Sequence, residues 1–349
     1  LSERRQRAVR DVVDAGRRLA ARALEDAALV EALARSTSLT PPMVQRALRR
    51  NLEREVSDAD LDRVFAWAGD EVDEVAVVLS AGVLTAPLRA LALARAAGLL
   101  VTVHPSKRDP RFAELLVEEL ASPDVRLGGR FSGTDFRGQE LHAYGADETI
   151  RTLRAQVPAA VRVRAHGHGF GIVWVEAPDE AAARATAEDV VDFDQRGCLS
   201  PRVVFVPESF AQDFAIALAA RLEVLATVLP RGPLSDDERQ QAVRYRDTLH
   251  FAGALHEGPA HLVGIAPAGS PLLVPPPGRH VHVAAVSARG EIATKLGPLA
   301  RFVTTIGSDA PGLSTELAAS LGAPQARVAP LGAMQTPPLD GPVDSRIAR

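Results

Sequence analysis

The stretch VAVVLSAGVLTAPLRALALARAAGLLVTVHPSKRDPRFAELLVEELA, residues 75–121, alternates two textures. Two short apolar, β-branched runs, Val75–Leu79 and Leu99–Val103, are each followed by a segment of helical character, Pro87–Ala97 and Pro110–Ala121. Strand, helix, strand, helix predicts an α/β domain built on a largely parallel sheet. Its crossovers are then right-handed, and a ligand belongs at the carboxyl ends of the strands.

The same texture continues outward. ELHAY (140–144), VRVRA (161–165) and FGIVWV (170–175) read as further strands, and Glu148–Gln156 as a helix. Toward the amino end, Val9, Val12, Val13, Ala15, Leu19, Ala20 and Leu24 follow helical spacing. Thr40 is placed to cap a helix whose first turn tolerates Pro41 and Pro42, and Ser57 opens another. Toward the carboxyl end a second α/β stretch runs through Asp179–Val191, RVVFV (202–206), Ala211–Val228, HLVGIA (261–266) and VHVAAV (281–286). AGSPLLVPPP (268–277) is too proline-rich for a sheet interior. The tail from Ala326 has few apolar anchors and many turn formers. The expected organisation is a helical segment over 1–70, a Rossmann-type dinucleotide-binding domain over 71–175, a second α/β domain over 176–305, and a tail over 306–349 that returns toward the cofactor domain.

Composition narrows the function. The chain has 349 residues, 46% hydrophobic and 24% charged, with a net charge of −4. No basic excess exists to neutralise phosphates, so nucleic acid is not an expected partner. The most apolar region, Ala90–Val103, is short and interrupted by Arg95, so no membrane span is expected. Residues 1–24 are Arg-rich and amphipathic and lack the apolar core of a secretory signal. A single cysteine excludes an intramolecular disulfide framework and fits a reducing cytoplasm.

That cysteine lies in DFDQRGCLSPRVVFVP, residues 192–207. Taken by itself, Cys198 admits two readings, a small buried hydrophobe or a nucleophile. Gly197 beside it gives the backbone freedom to present both the sulfur and an N–H that serves an oxyanion. In AYGADETI (143–150), Gly145 sits at a strand-to-helix turn and Asp147 is placed to cap, so the helix start at Gly145, Ala146 and Asp147 suits a pyrophosphate. RAHGHGFGIVWV brings His166 and His168 close in sequence, as proton donors or ligands. Two histidines without a third ligand make a poor zinc site, and no metal is expected.

HPSKRDPRF (104–112), AYGADETI (143–150), DQRGCLSPRVVFV (194–206) and PLGAMQTPPLDGPVD (330–344) together resemble the bacterial fatty acyl-CoA reductases, the LuxC-like family of the aldehyde dehydrogenase superfamily. The resemblance covers roughly 35–344, and the cysteine segment is its most specific part. It implies an aldehyde-dehydrogenase-like fold, an active site in the cleft between the domains, and NADPH-dependent reduction of an acyl-CoA thioester through an acyl-Cys198 intermediate, with NAD as the alternative cofactor. It also implies cofactor contacts from His104, Pro105, Ser106 and Lys107, where the superfamily has Lys-Pro-Ser, and from Gly145, Ala146 and Asp147. His166 or His168 falls where hydrolytic relatives carry a water-activating glutamate. Gly82 falls where the superfamily has an oxyanion-holding asparagine. Members commonly pair, so a homodimer is a possible assembly. Two other readings keep the fold: a reductase of another activated acyl group such as an acyl phosphate, and a binding or scaffold protein without turnover, which Gly82 and His104 favour.

Overall fold

The computed structural model describes residues 3–310, 312 and 314–341. The chain divides into two compact units, residues 1–168 with 336–349, and residues 169–335. The last part of the fourth family-like segment, residues 342–344, lies outside the described residues, as does the end of the expected tail.

The first unit opens with helices α1 (Glu3–Glu25), α2 (Ala27–Thr37), α3 (Pro41–Arg46) and α4 (Asp58–Ala68). Their starts follow local chemistry. Asp26 caps α2 by accepting from the N–H groups of Ala28 and Leu29, and Ser57 with Asp60 forms a full capping box on α4. Thr40 stands at the start of α3 but makes no side-chain cap bond, and the helix passes at once into a π-helical turn, Ala47–Asn51. The helix expected from Thr40 thus runs to Asn51, α-helical at first and π-helical in its last turn. α1 buries Val9, Val12, Val13, Ala15, Leu19 and Ala20. It packs closely on the helix at Ala86–Ala97, because a Cβ on Gly16 would lie 2.1 Å from Leu88 Cδ1.

The sheet of this unit comprises β1 (Val72–Val78), α5 (Ala86–Ala97), β2 (Gly98–His104), α6 (Arg111–Leu120), β3 (Val125–Leu127), β4 (Glu140–Tyr144), α7 (Asp147–Gln156) and β5 (Arg162–His166). All pairings are parallel, in the order β3-β2-β1-β4-β5. The chain runs outward from β1 through β2 to β3, then crosses to the other side of β1 for β4. Strand order therefore reverses between β1 and β4, which is where an open α/β sheet leaves a crevice at its carboxyl edge.

The second unit contains β6 (Phe170–Trp174), α8 (Glu180–Val191), β7 (Pro201–Pro207), α9 (Ala211–Val228), α10 (Asp236–Ala252), β8 (Ala254–Gly258), β9 (His261–Ile265), β10 (His280–Val286), α11 (Glu291–Leu296), β11 (Val303–Ser308), α12 (Thr315–Ser320) and β12 (Arg327–Pro330). Its seven-stranded sheet has the order β12-β11-β6-β7-β10-β9-β8, antiparallel only at β8. Strand 170–174, grouped in sequence with the first sheet, pairs with β7 and β11 here. The change of unit falls at Gly167–Gly169, where paired glycines break the run that periodicity alone joins. Similarly β11 and β12 belong to this sheet, and the chain re-enters the first unit only at Thr336. Residues 268–277 form a loop, as their prolines require. Among the described residues, no helix is long and apolar enough to cross a membrane.

Three buried histidines of this unit set a limit on acid stability. Burial holds His261 at about 4, His280 at about 3 and His282 at about 4. Neighbouring cations reinforce this: Arg231 beside His261 and His280, Arg279 beside His261, Arg202 beside His280, and Lys295 beside His282, with only Glu238 opposing at His280. The unfolded chain takes up protons near pH 6.5, whereas the folded protein does so only near pH 3–4. Stability from neutral histidines is thus present above about pH 6.5 and falls as the pH drops toward 4. Thermal melts should show Tm falling over that window, and His280→Asn should flatten the slope. An unchanged slope would show that His280 does not titrate with folding.

Candidate active site

The cysteine loop is entered through a constrained backbone. Phe193, Asp194 and Gln195 are consecutive non-glycine residues with φ of 55°, 52° and 64°. The left-handed region costs an L-residue on the order of 1–2 kcal/mol, so three in succession persist only where side chains over-determine the turn. They do so here. The Asp194 carboxylate, fully buried, accepts from Nε and Nη2 of Arg279 at 2.9 and 2.6 Å, and from the Gly232 N–H at 2.9 Å. Arg279, itself 1% exposed, also donates Nη1 to Leu229 O at 2.8 Å. Gln195 clamps a third segment. Its Nε2 donates to Pro201 O and His280 O, both at 2.7 Å, and its Oε1 accepts from the His280 N–H at 2.8 Å.

Cys198 follows in a turn, half-buried, and its carbonyl accepts from the Thr304 hydroxyl. The Ser200 N–H donates to Gly197 O at 3.1 Å, closing the turn beneath the sulfur-bearing residue. Ser200 O accepts from the Gly171 N–H at 2.8 Å, and Ser200 Oγ from Gln335 Nε2 at 3.1 Å. β6 and β7 are parallel with Gly171 opposite Pro201, so the cysteine lies at the amino-terminal edge of the central strands. The fourth family-like segment is fixed beside it. Asp189, buried on α8, accepts from the N–H groups of Gly332 and Met334 at 2.7 and 3.0 Å. Met334 in turn fills space above Gly171 and Gly307, where a Cβ would lie 2.7 and 2.6 Å from its side chain.

In the first unit, the other candidate residues gather at the carboxyl edge of the sheet. Register places His104 opposite Val78, Val78 opposite Ala143, and Tyr144 opposite His166. His104 donates Nδ1 to Gly129 O at 2.8 Å and meets the edge of Phe131. Pro105 and Ser106 follow it half-buried, and Lys107 is exposed. Gly145 has a φ of 153°, so glycine suits the turn into α7. The helix start differs from the sequence reading. Ala146 holds the N-cap position without a side-chain cap, and Asp147 is the first helical residue. The Asp147 carboxylate accepts instead from the His168 N–H at 3.0 Å, joining two of the candidate segments. His166 is buried and stacked face to face on Tyr144, with ring centroids 4.2 Å apart and planes 3° apart, while Trp67 lies 6.1 Å away.

These residues fit a dinucleotide. The crevice between β1 and β4 is flanked by the 79–85 loop and by the first turn of α7, whose backbone N–H groups lack a side-chain cap and suit a phosphate. His104 and Lys107 lie on the neighbouring strand end and suit ribose or a 2′-phosphate. Gly82 has a φ of 112°, and its N–H is held by the Asp109 carboxylate, which also accepts from the Ser36 hydroxyl at 3.1 Å. Burial raises the Asp109 pKa against both bonds. The turn is therefore built around glycine and a backbone donor. Among the described residues, no cluster of three or more His, Cys, Asp or Glu is arranged to hold a metal ion.

Solved structures share this architecture. The chain superposes on an oxidoreductase from Marinobacter aquaeolei with a TM-score of 0.71 at 14% identity, covering 97% of this chain and 79% of that one. A mutant of the indole-3-acetaldehyde dehydrogenase AldA of P. syringae, solved with NAD+ and IAA, gives 0.68 at 15%, covering 98% and 78%. The fold is that of the aldehyde dehydrogenases. More particularly, residues 9–344 match the model of the acyl-CoA reductase (LuxC) family, and the chain belongs to that family. A long-chain acyl-protein thioester reductase of Aliivibrio fischeri is 31% identical over 113 residues, 32% of this chain but only 24% of that protein.

Two expectations follow for stability. Removing one partner of a buried pair leaves the other charge unpaired, so Asp194→Ala should cost about 3–5 kcal/mol. Urea unfolding measures it, and a loss below about 1 kcal/mol would mean that other contacts hold the turn. Gly82→Asn, which restores the superfamily residue, should destabilise by about 1–3 kcal/mol because of the positive φ. A neutral or stabilising result in the same assay would show that the turn relaxes to accept asparagine.

Proposed function

We propose that this protein reduces a long-chain acyl thioester to the aldehyde through a covalent intermediate on Cys198. The observation that supports it best is the loop itself. A half-buried cysteine is held by three successive left-handed residues and by buried side chains from distant parts of its unit, an arrangement whose strain a mere packing residue does not require. Membership of the acyl-CoA reductase family and the named thioester reductase relative support the substrate class.

In this reading the Cys198 thiolate attacks the acyl carbonyl. The carbon–sulfur bond to the carrier breaks, the carrier thiolate leaves and takes up a proton, and the acyl group stays on Cys198 as a new thioester. The flexibility that Gly197 gives the backbone would let the Cys198 N–H serve the developing oxyanion. Gly145, Ala146 and Asp147 would hold the phosphates of a nicotinamide dinucleotide, NADPH in preference to NAD, and His104, Pro105, Ser106 and Lys107 its ribose end; when bound, it would supply the hydride for reduction of the acyl group. His166, locked against Tyr144, or His168 delivers the proton that the carbonyl oxygen needs, and collapse of the thiohemiacetal restores the Cys198 thiol. The residues that fall there in the resemblance, His166 and His168, are not acids, so they offer no glutamate to activate water against the acyl-enzyme. The carrier is coenzyme A or, as the name of the A. fischeri relative suggests, a protein thiol.

Incubation with a long-chain acyl-CoA in the absence of nicotinamide should add one acyl mass to the wild-type protein and none to Cys198→Ala. NADPH should then discharge it as aldehyde. Acylation or aldehyde formation that survives Cys198→Ala would exclude the covalent route. His166→Gln should slow aldehyde release by about 10²-fold or more, and an unchanged rate would remove His166 from proton transfer.

A further inference from the structure

A second polar pocket lies in the cysteine-bearing unit, away from the residues assigned above. It encloses about 290 Å³ and is lined by Arg202, Gln241, Arg244, Tyr245 and Thr248, with Leu273–Pro276 forming an apolar wall. Arg202 is the second residue of β7, and Arg244 and Thr248 lie one turn apart on α10.

The two arginines are unusual in what they lack. Arg202 Nη1 donates to Pro275 O at 3.2 Å, but its buried Nε has no hydrogen-bond partner among the described residues. Among the described residues neither Arg202 nor Arg244 forms a carboxylate ion pair, Glu238 acting on Arg202 only at longer range, although most arginines along α10 and the cysteine loop do form one, including Arg196, Arg239 and Arg246. A buried donor without an acceptor costs free energy that an anion entering the pocket would recover. Burial already presses the Arg202 guanidinium down to about 10, which an added negative charge would reverse. The lining therefore combines two cationic donors, a neutral amide, two hydroxyls and an apolar wall. That set suits a tetrahedral anion carried on a neutral organic arm, since guanidinium matches phosphate oxygens and the wall has no group to bind a second charge.

We propose that this pocket binds the phosphate of a phosphopantetheine arm, the chemistry shared by coenzyme A and phosphopantetheinylated carrier proteins. The assignment of the arm rests on the thioester reading above, whereas the phosphate specificity rests on the pocket alone. Its position agrees with both. Arg202 follows Cys198 by four residues, so the two Cα atoms are at most about 14 Å apart. A pantetheine arm seated on Arg202 and Arg244 would thus bring its thioester end into the neighbourhood of the loop.

The test needs no turnover. Wild-type protein is titrated calorimetrically with 4′-phosphopantetheine and with pantetheine. The phosphorylated compound should bind about 10- to 100-fold more tightly, the range expected for charge-assisted hydrogen bonds. Arg244→Ala, on the exposed side of α10, should erase most of that preference, as should Arg202→Gln, each first shown to keep the wild-type circular dichroism. Equal affinity for the two compounds, or a preference that survives in both variants, would overturn the proposal. Displacement of 4′-phosphopantetheine by coenzyme A alone would assign the phosphate to the free coenzyme, and displacement also by a holo carrier protein to the shared arm. Should Cys198 resist acylation while phosphate preference persists, the thioester reading fails and the phosphate site stands.

Discussion

The buried pair between Asp194 and Arg279 is the interaction on which the cysteine loop depends. Both side chains are removed from water, and each is fully engaged, Asp194 by two guanidinium nitrogens and a backbone N–H, Arg279 additionally by a carbonyl. Burying two charges is costly unless geometry and extra hydrogen bonds compensate. Here the return is conformational. The pair fixes the middle residue of a left-handed run that no local propensity favours, and Arg279 itself carries a φ of 69°. The turn that leads to Cys198 is thus specified by a contact spanning 85 positions in the chain.

This separation explains which parts of the molecule sequence reading reaches. The parallel sheets were legible because strands and helices alternate with their own periods, and the helix starts at Ser57 and Asp179 follow from capping chemistry that acts over three residues. Ser235 forms the same box with Glu238, a signal for α10 that the residues offered and apolar periodicity did not, since that helix buries only Tyr245 and Leu249. Cys198 stood out by its neighbours. Its supports did not: Arg279, Thr304 and Asp189 carry no local pattern, and only the folded chain brings them to their partners; the same holds in the first unit for Tyr144, which stacks on His166.

The placement of residues 170–174 shows the same limit from the other side. Periodicity identifies a strand but not its sheet, and FGIVWV would serve either as the last strand of the first sheet or as a strand of the second. What decides is packing across the sheet: Phe170, Ile172 and Trp174 share one face with Val203, Phe205 and Ile306 in the second core. Alternate residues on one face are what a strand offers, and the second unit supplies the matching apolar face.

The two departures from the superfamily pattern acquire a physical meaning in this setting. At Gly82 the backbone, with its positive φ and its N–H held by Asp109, makes an arrangement that an asparagine would strain. At position 104 the imidazole is tied to Gly129 O, and Gly128 leaves it room, since a Cβ there would lie 2.4 Å from the ring. Each substituted residue is integrated with its neighbours. A site drifting out of use accumulates unmatched residues, whereas these two are matched, one by a carboxylate and the other by a glycine. The imidazole at position 104 accordingly stands with one ring nitrogen already committed to the protein.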